Sequence, residues 1–315
     1  MDLKELKLRS HGKEYFEGIS QVLFFKNAYF GLALLLISFL FHWQFFICGL
    51  GASLIGFTYS TLYRTPKILR QTGLMTINGF FFGLAFASLF QVSGSFYFCL
   101  LLGAIAIPLM SKATFEILQH WKLSPLILPY ILTLWILWLC SSGIALHPNW
   151  KIWMGDESQL WQHVSTTHVG VQLVRSMLFS MSQIFFLQNS DYGLSLLLLV
   201  TVFSPRRGLY FFMGTAMASL VFYGISDGTF AWQYGFFSCS AGLVGLGMAS
   251  LPEEFSWRTI SLFSVLSLFL TLASDRLFRN FGLPILSLPY VLTFWFAILS
   301  RAPRLNLSWA RSEVI

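Results

Sequence analysis

The sequence predicts an all-α membrane protein with ten transmembrane helices plus re-entrant half-helices, arranged as two inverted repeats of five spans around a central pore. Three observations predict it: long apolar runs without charge, a stretch of sequence that occurs twice, and a one-sided distribution of basic residues. Of 315 residues, 56% are hydrophobic, 18% aromatic and only 10% charged, where soluble domains carry about 25% charged residues. Residues 28–63 and 71–111 contain no Lys, Arg, Asp or Glu. A bilayer-spanning helix needs roughly 20 mostly apolar residues, so each run accommodates two spans joined by a tight turn.

The duplication is carried by a polar motif. Residues 19–32 contain Gln21, Phe24, Asn27, Gly31 and Leu32, and residues 181–194 contain Gln183, Phe186, Asn189, Gly193 and Leu194, each 162 positions further on (183 − 21). An amide, an aromatic, a second amide and a glycine in fixed register mark a duplicated chain. Gln21 and Asn27 are expensive facing lipid, because unpaired polar groups in hydrocarbon cost several kcal/mol. Each copy therefore reads as the start of a half-helix embedded in the membrane but shielded by protein or water.

Taken in order, a polar, helix-like lead (2–17) precedes spans near 29–45, 46–63, 73–90, 94–111 and 125–145. The second half has spans near 192–204, 208–224, 234–251, 257–274 and 283–300. The first repeat covers 1–146, an external linker 147–164, and the second repeat 165–315. Five spans per half invert the second half, and the basic residues agree. With the N-terminus inside, fifteen Lys and Arg fall on the cytoplasmic side, against Lys151, Arg276 and Arg279 outside, the expected cytoplasmic excess. Both termini are then cytoplasmic. In inverted repeats the solute site lies near the midplane where discontinuous helices meet.

Other classes are set aside on composition. The net charge of +7 is topogenic rather than a nucleic-acid footprint. The lead lacks the short apolar core of a cleaved signal peptide. Cys48, Cys99, Cys140 and Cys239 form no CxxC pair, and the six histidines form no i, i+4 pair with a helical carboxylate, so neither metal nor cofactor is indicated. Without a His–Asp or Glu-x-x-His constellation the chain does not read as an enzyme. Asp191 reads as a helix cap, Arg175 as a snorkelling or solvated cation, and most Phe as lipid-facing packing.

Two further paired segments carry a resemblance. Residues 73–85 (GLMTINGFFFGLA) match 235–247 (GFFSCSAGLVGLG), again 162 positions on, and 125–135 (PLILPYILTLW) matches 283–295 (LPILSLPYVLTFW). With the Gln-Val-x-Phe motif at Gln21–Phe24, this set resembles the urea transporter family, its bacterial members included, over residues 10–300. The resemblance implies a homotrimer in the bacterial inner membrane with one solute pore per protomer, between the inverted halves. It implies a passive channel for urea or a closely related small neutral amide, in which phenylalanine faces sandwich the flat solute and a ladder of oxygens accepts from its N–H groups. Gln21 and Gln183 would be the polar mouths, Val22 and Ile184 the walls beside them, and Phe24 and Phe186 the aromatic faces. The backbone at 122–127 and 282–287 would belong to the ladder.

The departures from the family pattern concern the filter. Its second slot aromatic is replaced by Ile77 and Cys239, and its threonine by Ile127, in a segment one residue shorter, and by Ser287. Ala28 replaces a proline, and both Pro-Phe pairs are Pro-Tyr. A greasier slot leaves a different small neutral solute as the alternative. An ion-coupled transporter is disfavoured because the spans lack intramembrane carboxylates, and an aquaporin-like channel because Asn-Pro-Ala pairs are missing.

Overall fold

The computed structural model describes residues 3–63, 65–148, 169–226, 235–251 and 255–300. Most of the predicted linker, with Lys151 and His163, lies outside the described residues, as do His168, Arg64, Arg301, Arg304 and Arg311. The rest is almost wholly helical and falls into two compact units, one within Met1–Pro148 and one within Asn149–Leu299.

In the first unit, helices α1 (Leu3–Ser20), α2 (Ala28–Leu62), the short α3 (Lys67–Gln71), α4 (Leu74–Leu89), α5 (Gly94–Leu118) and α6 (Leu128–Cys140) follow one another. The second contains α7 (Val169–Gln183), α8 (Ser190–Phe203), α9 (Pro205–Ile225), α10 (Cys239–Ser250), α11 (Trp257–Asn280) and α12 (Leu288–Leu299). Among the described residues, four helical stretches are long and apolar enough to cross a membrane: 28–62, 94–121, 205–225 and 257–280. Five more apolar helices are shorter. At 1.5 Å per residue, the 13 residues of α6 and the 12 of α12 reach only about 20 Å, short of a hydrocarbon core of about 30 Å.

The spans predicted at 29–45 and 46–63 form one helical run broken at His42, whose φ −158° and ψ 68° are not helical. Ser204, at the matching position, has φ −158° and ψ 98° and divides α8 from α9. Its side chain caps α9 by accepting from the Arg207 N–H, and Pro205 occupies the first turn, where a missing N–H costs nothing. The spans predicted to begin at 125 and 283 begin too early. Prolines at 125 and 284 and left-handed residues at Leu126 (φ 52°) and Leu286 (φ 50°) keep the chain non-helical until 128 and 288.

Each unit is built around a helix buried on nearly every side: α4 in the first, α10 in the second. Such all-round burial is what an apolar helix without an amphipathic stripe requires. Phe80, Phe81, Phe82 and Phe86 of α4 are all but inaccessible. The phenylalanine excess is thus substantially interior, contrary to the lipid-facing expectation, because α4 has neighbours on every face to receive the rings.

The duplication extends to backbone contacts. A Cβ on Gly31 would lie 2.0 Å from the Phe16 carbonyl oxygen, and one on Gly193 1.9 Å from that of Leu178. Further along, a Cβ on Gly83 would lie 2.2 Å from the Cys48 carbonyl oxygen and one on Gly245 2.3 Å from that of Tyr210. Both members of every pair are separated by 162 positions, so the two units repeat one packing scheme in which helices touch backbone to backbone. Small residues let membrane helices approach this closely.

Because that space is closed, Gly31→Ala and Gly193→Ala should each destabilise the detergent-purified protein by about 1–3 kcal/mol. Thermal melting should show a lowered midpoint for both. Gly51→Ala, at a helical position with nothing within 4 Å, should leave the midpoint unchanged or raise it slightly.

Candidate functional site

The twice-occurring motif is a helix end joined to the next helix start. A helix does start inside each copy, at Ala28 and at Ser190, but Gln21 and Gln183 belong to the end of the helix before it. Helix α1 stops at Ser20, a 3-10 turn covers Gln21–Leu23, and Phe24 takes the left-handed conformation at φ 62°. The Phe24 N–H donates to the Gln21 carbonyl (2.9 Å) and the Phe25 N–H to that of Ser20 (3.1 Å), which is the Schellman closure of a helix C-terminus. In the second unit Phe186, also at φ 62°, and Leu187 donate to the carbonyls of Gln183 (3.0 Å) and Ser182 (3.3 Å). A side chain larger than glycine in this region costs roughly 1–2 kcal/mol. The chain holds a phenylalanine there twice.

A buried serine holds each turn closed. The Ser20 hydroxyl lies 2.7 Å from the Glu17 carbonyl and 2.5 Å from that of Phe25, and it accepts from the Asn27 N–H at 3.1 Å. Ser182 repeats this with Phe179 (3.0 Å), Leu187 (2.7 Å) and Asn189 (3.3 Å). Next, Asn27 caps α2 by accepting from the N–H groups of Tyr29 and Phe30, and Asn189 caps α8 by accepting from those of Asp191 and Tyr192. The cap is therefore Asn189. Asp191 sits in the first turn instead, where its charge favours the positive end of the helix.

Of the predicted pore residues, Gln21 and Phe24 are half-buried, whereas Val22, Gln183, Ile184 and Phe186 are buried. In the first unit, the ends of three helices converge. Gly18 of α1 packs on Thr76 of α4 and on Gly73, which precedes it at φ 57°. The fully buried Asn78 then joins α4 to the segment before α6. Its amide donates to the carbonyls of Leu74 and Leu126 (2.9 Å each) and accepts from the Tyr130 N–H at 3.0 Å. Ile77 and Ile127, the two predicted filter positions, are the chain neighbours of these bonded residues, and both are buried. Asn78 was legible as part of a motif, but its role as a cross-brace was not, because its partners lie 48 and 52 positions away.

In the second unit, Cys239 stands in the first turn of α10, half-buried, and Ser287 is buried immediately before α12. Ser240 takes the place of Asn78 and is too short to brace two segments. The predicted ladder segments are non-helical in both units. Each follows a second Schellman closure: Lys122 and Leu123 donate to Gln119 and Leu118, and Gly282 and Leu283 to Arg279 and Phe278. Left-handed residues recur at 122 and 126 and at 282 and 286. The first segment is therefore not one residue shorter. Its proline has moved one place, from the register of Pro284 to that of Ile285.

Other polar residues have local partners. Glu116 and His120 do stand four apart in one helical stretch, yet the His120 Nδ1 lies 2.9 Å from the Glu116 carbonyl oxygen, and the Glu116 carboxylate faces Lys112 at 3.9 Å. The Arg175 guanidinium lies 5.1 Å over the Phe179 ring. Its counterpart Lys13 pairs with Glu17 at 3.7 Å.

Beyond this geometry, residues 13–302 match the family model described as urea transporter. The chain belongs to the urea transporter family. Membership covers both units and makes the protein a multi-pass membrane transporter of urea rather than an enzyme.

Asn78→Ala would strand the Leu126 carbonyl and the Tyr130 N–H, each costing about 1–3 kcal/mol. It should lower thermal stability and urea flux together, and Asn78→Asp, which sets a carboxylate against two carbonyl oxygens in a buried site, should lower stability at least as much. Lys122→Gly should raise stability by about 1 kcal/mol, since Lys122 is exposed and left-handed and the glycine relieves the strain. Gly282→Ala should do the reverse.

Proposed function

We propose that the protein is a passive channel for urea or a closely related small neutral amide, running between two inverted repeats. Gln21 and Gln183 form its mouths, Val22 and Ile184 the walls beside them, and Phe24 and Phe186 its aromatic faces. Ile77, Ile127, Cys239 and Ser287 line the narrow filter between them, with the backbone at 122–127 and 282–287 supplying acceptors. The observation that carries this reading is the pair of left-handed phenylalanines, each following a glutamine and each clasped by a serine. Strained backbone persists where surrounding structure over-determines it and function uses it.

Urea suits such a path. It carries four N–H donors and one carbonyl acceptor in a plane, like a side-chain amide. Stripping its water without replacement costs about 1–3 kcal/mol per unmatched group, and each 1.4 kcal/mol of barrier is about tenfold in rate. Aromatic walls with acceptors in line remove that barrier for a flat N–H donor and do nothing comparable for a hydrated ion. The protomers assemble as a homotrimer in the bacterial inner membrane with cytoplasmic termini, on the balance of basic residues and the family pattern. The apolar substitutions at Ile77 and Ile127 support a second reading, a channel that prefers a less polar amide such as acetamide.

Stopped-flow flux in proteoliposomes separates these readings. Urea should cross at least about tenfold faster than glycerol, Ile127→Thr should speed urea about three- to tenfold by restoring a hydroxyl, and Ser287→Ala should slow it by a similar factor. Equal urea and glycerol rates would reject amide selectivity. Acetamide outrunning urea would select the second reading.

A further inference from the structure

We propose that the segment 70–73 acts as a bracket that fixes the orientation of the Gln21 amide, so that this mouth offers its carbonyl oxygen, rather than its NH2, to the solute. The inference rests on the reading of Gln21 as a mouth of the path. Glu14, Gly18 and Gln21 are spaced four and three apart and share one face of α1 and its 3-10 extension. Each meets the same short segment. The Arg70 Nε lies 3.7 Å from the Glu14 carboxylate. A Cβ on Gly73 would fall 2.6 Å from the Gly18 Cα, so the two glycines touch backbone to backbone. The Gln21 Nε2 donates to the Gln71 carbonyl oxygen at 3.0 Å.

The acceptor is itself held in place. The Thr72 hydroxyl donates to the Leu69 carbonyl at 2.9 Å, and the Gly73 N–H donates to that of Arg70 at 3.2 Å. A side-chain amide has a donor end and an acceptor end. With one N–H of the donor end tied to Gln71, the amide is turned so that Oε1, on the opposite side, is its acceptor for a solute. An N–H-rich solute gains from an acceptor there, whereas an unbracketed amide would present its own N–H groups for part of the time. Arg70 and Glu14 are too far apart for a hydrogen bond. Their attraction holds the bracket against α1, which makes Arg70 a positioning residue. Urea is neutral, so removing the Arg70 charge does not alter its delivery by long-range steering.

The test is a double-mutant cycle in proteoliposomes, with water permeability and size-exclusion profiles as controls for folding. Gln21→Ala should cut urea flux about tenfold and Arg70→Ala about three- to fivefold, and Arg70→Lys should restore most of the loss. In the Gln21→Ala background, Arg70→Ala should have no further effect, because the bracket then has nothing to orient. Glu14→Gln probes the same pair from α1 should the Arg70 variant fold poorly, and it should reproduce the three- to fivefold loss. Loss of flux in Gln21→Ala with none in Arg70→Ala or Glu14→Gln would overturn the bracket and leave the mouth standing. Additive losses would also overturn it. No loss in Gln21→Ala would overturn the mouth assignment and the bracket with it.

Discussion

Within a bilayer, every backbone N–H and C=O that leaves a helix must find a partner in the protein. Two serines meet that demand here. At 20 and again at 182, one hydroxyl faces a helical carbonyl, a carbonyl beyond the turn and the N–H of the residue that caps the following helix. The serine contact, the Schellman bonds and the asparagine cap together offset the cost of the left-handed phenylalanine. The break in the helix is thereby a stable feature of an apolar chain.

Away from these turns, the two units share a backbone but only part of their polar side chains. Close approaches at glycine and left-handed positions recur in register. Polar bracing between segments distant in sequence does not. The Tyr15 hydroxyl meets the Ser53 hydroxyl at 2.7 Å, while Met177 and Thr215 at the matching positions cannot exchange such a bond. Asn78 braces two segments where Ser240 stands in the second unit. Conversely, the short ion pair between Asp275 and Arg279, at 2.7 Å, is matched in the first unit by Phe115 and Gln119. Backbone geometry is what a duplicated fold must preserve, because at these glycines an added Cβ would run into the neighbouring helix's carbonyl. Side-chain hydrogen bonds can be exchanged for packing, so the two copies are free to differ in the groups they offer a solute.

Much of this was legible in residue order. Charge-free runs identified a membrane protein, and a fixed interval between Gln21 and Gln183 identified the duplication. Pattern failed at the helix ends. The motif at 19–32 reads as polar, yet whether Gln21 begins or ends a helix depends on the Ser20 clasp, which no periodicity encodes. The apparent missing residue before Pro129 was a displaced proline, visible only once left-handed backbone at 122 and 126 gave the register. Phenylalanines at 80–86 looked like lipid contacts because apolar side chains suit lipid and protein interior equally well.

The sequence by itself determined the solvent of this protein and its twofold construction, which follow from composition and spacing, and its paired motifs carried the resemblance to the family to which it belongs. The tertiary structure alone decided where the helices break and which groups hold the breaks. Those outcomes depend on hydrogen bonds such as Asn78 to Leu126 and Gln21 to Gln71, whose partners are dozens of residues apart and meet only when the helices pack.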